Sequence, residues 1–320
     1  MTYKVLQAKR GGFLVRGADG REVFCPARGK LREGGVYAGD DAEWDRAGGI
    51  DRVAPRKNLL ARPLLANVAA CVIVLSPAPA PDFYLADKLL IHCFKNGIEP
   101  ILCVNKSDTG DAGELYGRAR RNYEPAGQSV LSVSALDGSG IEALRRAAAR
   151  VGGVTCLAGQ SAVGKSSLLN RLLPGINAEV GELSQKIGRG KHTTRACRLY
   201  PLYADGCQQR GPLDGAGNSA IPLTTAAVPL AAAGGQAYIA DTPGFSMLGA
   251  GDLFYGELKY FYPDFVGFAQ NCAVRGCNHT REPDCAVIRA AEKGGLCRER
   301  WERYVGIFDE LRETHKNKYK

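Results

Sequence analysis

The stretch Gly159-Gln-Ser-Ala-Val-Gly-Lys-Ser-Ser167 decides the fold of this chain. It fits G-x-x-x-x-G-K-[ST], the pattern of a loop whose backbone N–H groups cradle the phosphates of a nucleotide. The apolar residues 153–158 before it predict a buried strand, and leucines at helical spacing after it predict a helix. Strand, loop and helix N-terminus form an anion site, because orphan N–H groups and the helix dipole point at the phosphates.

Two positions of this loop carry a specific chemical role. Lys165 is expected to reach the β- and γ-phosphates and act in catalysis, and Ser166 is expected to ligate Mg²⁺. The predicted nucleotide contacts in the loop are Gly159, Gln160, Ser161, Ala162, Val163, Gly164, Lys165, Ser166 and Ser167. The alternative is a chance match in a chain with 40 glycines, and the flanking strand and helix argue against it.

Strands alternate with helices around this loop. Residues 70–75 are a continuous apolar run, as expected for a strand buried on both faces of a sheet. The predicted strands are 70–75, 101–104, 129–133, 153–158, 196–203 and 237–240, and the predicted helices are 83–95, 111–123 and 141–150. This order predicts a doubly wound α/β domain, in which ligands lie at the carboxyl ends of the strands.

Two further segments follow predicted strands of this domain. Asn105-Lys-Ser-Asp108 fits N-K-x-D, in which the carboxylate accepts hydrogen bonds from guanine N1–H and the 2-amino group. Adenine lacks these donors and would leave a buried Asp108 unpaired. Ser134-Ala-Leu136 is similar to the GTPase element whose backbone N–H meets guanine O6. The predicted guanine contacts are Asn105, Lys106, Ser107, Asp108, Ser134 and Ala135, although N-K-x-D alone also fits an Asn/Asp-rich turn.

Residues 188–195 are polar, glycine-rich and basic, as is typical of a switch loop. A threonine here could complete the Mg²⁺ shell and sense the γ-phosphate; Thr194 is preferred to Thr193 without a decisive reason, and a linker is the alternative.

Asp241-Thr-Pro-Gly244 fits D-x-x-G, in which Asp241 reaches Mg²⁺ and the Gly244 N–H meets the γ-phosphate. Residues 205–236 read as a low-complexity insertion without chemistry.

Phe245 stands where Ras-like enzymes hold the Gln that orients the attacking water. A phenyl ring cannot orient water, so hydrolysis is expected to be slow unless another group supplies this function. His192 is the candidate within the chain, and a solvated loop histidine is the alternative. The predicted catalytic residues are therefore His192, Thr194 and Lys165.

Residues 1–62 predict a small β-barrel. Short apolar segments separated by glycine-containing turns occur at 5, 13–15, 22–24, 36–37 and 42–44. Five strands in this length suit an OB-like barrel, followed by a linker over 55–63 and a nucleotide-binding domain over 63–250. The basic first half and four aromatic residues could bind RNA, although most of these rings are expected in the barrel core. The four aromatic residues are Phe13, Phe24, Tyr37 and Trp44.

The last region, residues 251–320, contains C-x₄-C-x-H-x₅-C, formed by Cys272, Cys277, His279 and Cys285. Three thiolates and one imidazole complete a tetrahedral Zn²⁺ shell and leave no open position, which predicts one structural zinc ion. Buried free cysteines are the alternative, but their close spacing with Gly, Asn and Pro between them favours a metal. Predicted helices flank the cluster at 254–260, 285–293 and 299–315.

Length, charge and cysteine content set outer bounds. The 320 residues suit two or three domains, and no apolar run reaches the length of a membrane span. The formal charge of +9 favours a polyanionic partner, although charge alone is weak support. The N-terminal residues lack a signal-peptide pattern, and the 11 cysteines fit thiols and a metal site rather than disulfides. A cytoplasmic monomer is expected.

The order of these motifs differs from that of an ordinary GTPase, in which the phosphate loop comes first. Here Asn105–Asp108 and Ser134–Leu136 precede residues 159–167 and 241–244. With this circular permutation, a barrel before it and a Cys₃His cluster after it, the chain resembles the circularly permuted GTPases, and among them the ribosome small-subunit-dependent GTPase A family. Residues 56–67 are similar to that family's entry into the GTPase domain, whereas the insertion is longer than the family leads us to expect.

The resemblance implies a GTPase that acts late in assembly of the small ribosomal subunit. It also implies rRNA binding through the barrel and the zinc module, stimulation by the subunit, and GTP with Mg²⁺ and one Zn²⁺ as ligands. No membrane partner is expected. The alternative is a GTP-dependent RNA-binding module with negligible intrinsic turnover, which is consistent with Phe245. A third possibility, an ATP-dependent P-loop kinase or transferase, requires Asp108 to be idle.

Overall fold

The structure is a computed structural model that describes residues 2–26, 31, 35–45, 49–174, 197–203, 236–241 and 253–318. Nearly all of the 205–236 insertion lies outside these residues. The sequence predictions that also lie outside them concern His192, Thr193, Thr194, Gly244 and Phe245. All other predicted site residues are described.

The first five strands form an antiparallel barrel. They are β1 (Thr2–Lys9), β2 (Gly12–Arg16), β3 (Glu22–Cys25), β4 (Asp41–Asp45) and β5 (Gly49–Val53). β1 pairs with β2 and β4, β2 pairs with β3, and β4 pairs with β5. Ile50 N–H donates to Pro26 O at 2.9 Å, which brings the start of β5 to the end of β3. The result is a five-stranded, partly open barrel of the OB-like kind that the sequence predicts.

Two of the four aromatic residues predicted for this region, Phe13 and Trp44, pack against the barrel core, fewer than expected, because Phe24 is exposed and Tyr37 lies in a loop. Val15 and Ile50 are completely buried in it. Trp44 packs edge-on against Tyr3 with 5.1 Å between ring centroids, and Phe13 is partly buried against the same core. These rings therefore stabilise the barrel by removing apolar surface from water.

The structure differs from the prediction at two places in the barrel. Residues 36–37 are not a strand: Val36 is buried in a loop, and the ring of Tyr37 lies 4.7 Å from the Arg56 guanidinium carbon. The fifth strand is β5, which begins at Gly49, where a turn was expected. A buried apolar residue in a loop resembles part of a short strand in sequence, because apolar character reports burial and not backbone shape.

The expected linker, residues 55–63, is held against the barrel. It contains β6 (Leu59–Ala61), which pairs with β7 (Leu64–Ala66). Arg56 binds the buried carboxylate of Asp40 through Nε at 2.6 Å and Nη2 at 2.9 Å. Two parallel, charge-assisted hydrogen bonds fix the orientation of both groups. The chain therefore enters the α/β domain along a fixed path.

The α/β domain has the predicted order of elements. Its strands are β8 (Val68–Leu75), β9 (Glu99–Val104), β10 (Val130–Ser132), β11 (Gly153–Gly159), β12 (Arg198–Leu202) and β13 (Ala237–Asp241). Its helices are α1 (Phe83–Lys95), α2 (Ala112–Tyr123), α3 (Ile141–Val151) and α4 (Lys165–Leu172). The five strands in the order β10-β9-β8-β11-β13 are parallel, which confirms the predicted α/β fold class.

Alternate residues of β8 explain why this strand is apolar throughout. Cys71 and Ile73 face the core layer beneath α1 and α2, whereas Val72 and Val74 face the layer beneath α3 and α4. Successive side chains of a strand point to opposite faces, so helices on both faces require an apolar residue at every position.

Strand β12 joins this sheet to the barrel. It pairs antiparallel with β13 on one side and with β1 on the other, where Gln7 lies opposite Arg198. Arg198 also lies opposite Asp241 on β13. Over the described residues, the result is one 11-stranded sheet that contains strands of both the barrel and the α/β domain.

The C-terminal region is a helical module. It contains 3₁₀ helices at Tyr255–Phe261 and Pro263–Phe265, followed by α5 (Val266–Ala269), α6 (Ala286–Glu292) and α7 (Arg298–Lys318). The helix expected at 254–260 is thus a 3₁₀ helix rather than an α-helix. Within the described part of the chain, none of the helices combines the length and apolar character needed to cross a membrane.

A buried group of charges attaches this module to the α/β domain. Arg300 of α7 is 1% exposed and binds Asp87 of α1 at 2.7 Å and Asp264 at 3.0 Å. Its guanidinium carbon also lies 4.6 Å from the centre of the Tyr262 ring and 5.2 Å from that of Tyr123 on α2. Because opposite charges and aromatic faces surround the cation, its burial is compensated on several sides.

We expect Arg300→Met to be strongly destabilising, because it leaves the buried Asp264 without its cation. Loss of one partner of a buried ion pair costs about 3–5 kcal/mol. Arg298→Met is the matched control on the same helix, since Arg298 makes an exposed pair with Glu302 at 2.9 Å, and such pairs contribute about 0.3–0.5 kcal/mol. Urea unfolding followed by circular dichroism measures both; equal midpoints for the two variants would contradict the assignment.

Candidate functional site

The predicted phosphate loop lies between β11 and α4, and its two pattern glycines are both sterically required. Gly159 has φ of +135°, and a Cβ there would collide with the carbonyl oxygen of Val74 on β8. Gly164 has φ of +94°, and a Cβ there would collide with the Asn105 amide nitrogen. Since α4 begins at Lys165, the N–H groups of Ser166 and Ser167 belong to its first turn and have no partner within the helix. The loop therefore has the geometry of an anion site.

Lys165 lies against this loop. Its ammonium group donates to Gly159 O at 2.9 Å and to Gln160 O at 2.6 Å. Burial lowers the pKa of Lys165 to about 8, because a partly desolvated ammonium is less stable in its charged form. A phosphate anion placed beside it would favour the charged form again, so this lysine is suited to binding phosphate.

Asn105 joins the three predicted nucleotide loops. Its side chain is buried; Nδ2 donates to Val163 O of the phosphate loop at 2.8 Å, and Oδ1 accepts from Ala135 N–H at 3.1 Å. Its own backbone N–H donates to Leu75 O at the end of β8 at 2.8 Å. One amide thus fixes the relative positions of N-K-x-D, the phosphate loop and the Ser-Ala-Leu element.

The neighbouring motif residues strengthen this connection. Lys106, which has φ of +64°, donates to Ala162 O at 3.0 Å and also to the carbonyl oxygen of Ala78. Ser107 N–H donates to Val133 O at 3.0 Å, just before Ser134. The predicted guanine motif and the phosphate loop are therefore in direct contact.

The carboxylate of Asp108 is held by Ser134. The Ser134 hydroxyl donates to Asp108 Oδ1, and Ser134 Oγ accepts from Leu136 N–H at 3.1 Å and from Asp137 N–H at 3.2 Å. Asp108 itself is exposed, although the predicted rejection of adenine required a buried carboxylate. Exclusion of adenine would thus require the base itself to cover the carboxylate.

The Ala135 N–H, one of the backbone donors of the Ser-Ala-Leu element expected near guanine O6, donates to Asn105 Oδ1 in this structure. A base would have to share this donor with Asn105.

Asp241 lies at the same edge of the sheet as the phosphate loop. It ends β13, which runs parallel to β11 with Ile239 beside Thr155. Because the carboxyl ends of parallel strands meet at one sheet edge, Asp241 and Gly159 lie on the same side of the domain.

Two arginines that the sequence did not mark as site residues, Arg171 and Arg145, hold backbone carbonyl oxygens of the Ser-Ala-Leu element and of α4, respectively. Arg171 of α4 donates from Nε to Ala135 O at 2.7 Å and from Nη2 to Leu136 O. Arg145 of α3 is buried and donates to Leu172 O at 2.7 Å, which caps α4. An arginine on an amphipathic helix normally indicates a solvated face, so no local pattern distinguishes these two.

The predicted metal ligands come together in the C-terminal module. The donor atoms of Cys272, Cys277, His279 and Cys285 all lie within 4.8 Å of one another. Cys272 Sγ lies 3.8 Å from Cys285 Sγ and 3.6 Å from His279 Nδ1, and the latter lies 3.4 Å from Cys285 Sγ. Usual zinc bond lengths in a tetrahedron require about 3.8 Å between sulfurs and about 3.6 Å between sulfur and nitrogen. The cluster could therefore hold a metal ion, with Nδ1 as the histidine ligand atom.

The loop around this cluster is held by neighbouring polar groups. His279 has φ of +59°, and its carbonyl oxygen accepts from Trp301 Nε1 at 2.9 Å. Burial alone would raise the pKa of Glu282, but backbone N–H donors, including those of Asn278 and Thr280, outweigh it and lower the pKa to about 2. Lys259 donates to Cys277 O at 3.0 Å. These contacts orient the loop that carries the candidate metal ligands, and they contribute no ligand atoms themselves.

Comparisons with known proteins establish the family. A family model described as RsgA GTPase matches residues 53–209. A relative from Ruminiclostridium cellulolyticum, named small ribosomal subunit biogenesis GTPase RsgA, is 33% identical over 99% of this chain and 95% of its own length. The chain belongs to the RsgA GTPase family. The resemblance that the motif order indicated is thereby confirmed.

Solved structures agree with membership in the RsgA GTPase family. The crystal structure of YjeQ from Thermotoga maritima is similar with a TM-score of 0.72 and 30% identity, covering 97% of this chain and 98% of that one. YloQ, described as a circularly permuted GTPase, has a TM-score of 0.68 and 25% identity, covering 98% and 95%. The predicted circular permutation is confirmed with them.

We expect Asn105→Asp to uncouple the three loops. A carboxylate cannot donate to Val163 O, so the substitution places an uncompensated charge against a buried carbonyl and costs about 3 kcal/mol or more. Amide hydrogen exchange should then become faster throughout the phosphate loop, whereas Ala135 N–H keeps an acceptor in the carboxylate. Gln128→Glu makes the same chemical change at a partly exposed amide; similar exchange in both variants would show that Asn105 does not join the loops.

Proposed function

We propose that this protein hydrolyses GTP in the late maturation of the small ribosomal subunit and binds rRNA through its barrel and its metal module. The observation that supports this most is the Asn105 side chain, which connects the guanine motif to the phosphate loop across the permuted chain order. A purine nucleotide must contact both loops at once, and this contact sets their separation. The named functions of the family's curated relatives supply the ribosomal context.

In this proposal each loop binds one part of the nucleotide. Asp108, oriented by Ser134, accepts from guanine N1–H and the 2-amino group. The phosphate loop and the first turn of α4 bind the phosphates, with Lys165 as their cation. Ser166 and Thr194 ligate Mg²⁺. The remaining predicted contacts keep their roles: Asn105, Lys106, Ser107 and Ala135 at the base, the rest of residues 159–167 at the phosphates, and Asp241 and Gly244 at the γ-phosphate side.

Hydrolysis would be slow in the isolated protein. Phe245 cannot orient the attacking water, so this function falls to His192 or to a group supplied by the ribosomal subunit. Lys165 and Thr194 would neutralise charge that develops on the transferred phosphoryl group. The small ribosomal subunit would then act as the activator, so that GTP is hydrolysed mainly when the protein is bound to the subunit.

The barrel offers a surface suited to RNA. Phe24 is 51% exposed and its ring lies over Gly12, close to the turn that carries the exposed cations Lys9 and Arg10. An exposed ring beside cations can stack a base while the cations bind phosphate. Such contacts fit the formal charge of +9, and we place the protein, as a monomer, in the cytoplasm, where ribosomal subunits are assembled.

Steady-state phosphate release with and without small ribosomal subunits tests the function. We expect slow turnover alone and at least tenfold stimulation by the subunit. Negligible release in both conditions would favour a GTP-dependent RNA-binding module instead, and preference for ATP would favour a kinase or transferase.

Asp108→Asn should exchange the base preference from GTP to XTP, because an amide can donate to the 2-oxo group of xanthine. Its matched control is Asp111→Asn, since Asp111 is an exposed aspartate nearby that makes no side-chain capping bond. Unchanged preference for GTP in Asp108→Asn would mean that Asp108 does not read the base.

We also propose that the Cys₃His cluster binds one Zn²⁺ ion. The separations of the donor atoms and the soft thiolate set both suit zinc, and four protein ligands leave no coordination position for a substrate. The ion would therefore stabilise the module and would have no part in hydrolysis.

Metal analysis of the purified protein should find one zinc ion per chain. Cys285→Ser should release it and lower the melting temperature, because the ligand set becomes incomplete. Cys297→Ser is the control, since this thiol lies outside the cluster and donates to Asn122 Oδ1 at 3.3 Å. Zinc retained by Cys285→Ser, or a different metal in the wild-type protein, would contradict the assignment.

A further inference from the structure

A continuous chain of hydrogen bonds runs from α4 to the carboxylate of Asp108. It begins at Arg171, whose guanidinium donates to the carbonyl oxygens of Ala135 and Leu136. These two carbonyls belong to consecutive peptide units. The planar fork of an arginine can hold two acceptors in one fixed arrangement, which a lysine ammonium cannot do.

The N–H groups of the same two peptide units continue the chain. Leu136 N–H and Asp137 N–H both donate to Ser134 Oγ, at 3.1 and 3.2 Å. A serine hydroxyl has two lone pairs and one hydrogen. With both lone pairs occupied, its hydrogen is directed to Asp108 Oδ1. The orientation of the base-reading carboxylate therefore depends on the two peptide units that Arg171 holds.

The starting point of this chain is itself fixed. Arg145 is buried and donates to Leu172 O at 2.7 Å and to Arg171 O at 3.2 Å, which satisfies the last carbonyls of α4. The other end of α4 is the phosphate loop. A helix anchored at both ends can thus transmit the position of the phosphate loop to the base loop.

We infer that Arg171 is a positioning residue for the guanine base: acting through the peptide units around Leu136 and through Ser134, it orients Asp108 relative to the phosphate-loop helix. This inference rests on the proposed binding of guanine nucleotides. The amide of Asn105 sets the separation of the loops, whereas Arg171 sets the direction of the carboxylate. Its removal should therefore weaken recognition of the base and leave recognition of the phosphates unchanged.

The test is calorimetric binding of GDP, IDP and magnesium pyrophosphate to the full chain. IDP lacks the 2-amino donor that Asp108 accepts, and pyrophosphate lacks the base. Arg171→Ala should weaken GDP binding about tenfold and IDP binding about threefold, as expected for loss of a charge-assisted contact, with pyrophosphate binding unchanged. Arg171→Lys should give an intermediate loss, and it keeps the test available if Arg171→Ala does not fold. Arg146→Ala, an exposed arginine on α3, is the control.

A double-mutant cycle with Ser134→Ala separates this role from simple stabilisation. If Arg171 acts through Ser134, Arg171→Ala should have little further effect on GDP binding in the Ser134→Ala background. Additive effects, or equal losses of GDP and pyrophosphate binding, would overturn the inference while the proposed function stands. If the wild-type protein binds GDP no more tightly than IDP, the proposed function is overturned and this inference with it.

Discussion

The buried amide of Asn105 is the contact on which the candidate nucleotide site depends. The phosphate loop follows the guanine motif by more than fifty residues, and the amide of Asn105 bridges that separation with a hydrogen bond to Val163 O. An amide suits this position because it offers a donor to one loop and an acceptor to the other without carrying charge. Circular permutation changes which segments are covalently continuous, but this contact keeps the loops in one arrangement.

Specific contacts also attach the barrel and the C-terminal module to the α/β domain. The barrel is bound by strand pairing at β12 and by Arg56, and the C-terminal module is bound by Arg300. Both arginines are buried or partly buried beside carboxylates, where loss of a partner is costly. The three parts of the chain are therefore packed as one assembly rather than joined by free tethers.

Much of the α/β domain is predictable because its signals are local. The apolar run at β8, the glycines of the phosphate loop and the spacing of the metal ligands each report a short-range requirement of the backbone or of a ligand. The bounds of α1 agree with the prediction at both ends, and those of α2 and α3 to within one residue. For the candidate site, the sequence locates the motif segments at the ends of strands, and the roles of their residues stay predictions.

The features that the sequence did not predict depend on interactions between distant segments of the chain. Val36 is apolar because a loop buries it, and β6 lies in a stretch whose composition suggested a linker. Arg171 and Arg300 resemble solvated helix residues, since their carbonyl and carboxylate partners lie in other elements. The exposure of Asp108 also depends on how a loop projects from the sheet edge. None of these features produces a hydrophobic periodicity or a fixed spacing of residues in the sequence.

The lateral alignment of Gln7, Arg198 and Asp241 across three adjacent strands has a mechanical consequence. The barrel and the acidic residue at the end of β13 are separated by a single strand, so a shearing load on one is borne by the backbone of the other. A displacement of β1 would thus reach the end of β13 through backbone hydrogen bonds alone, with no relay of side chains required.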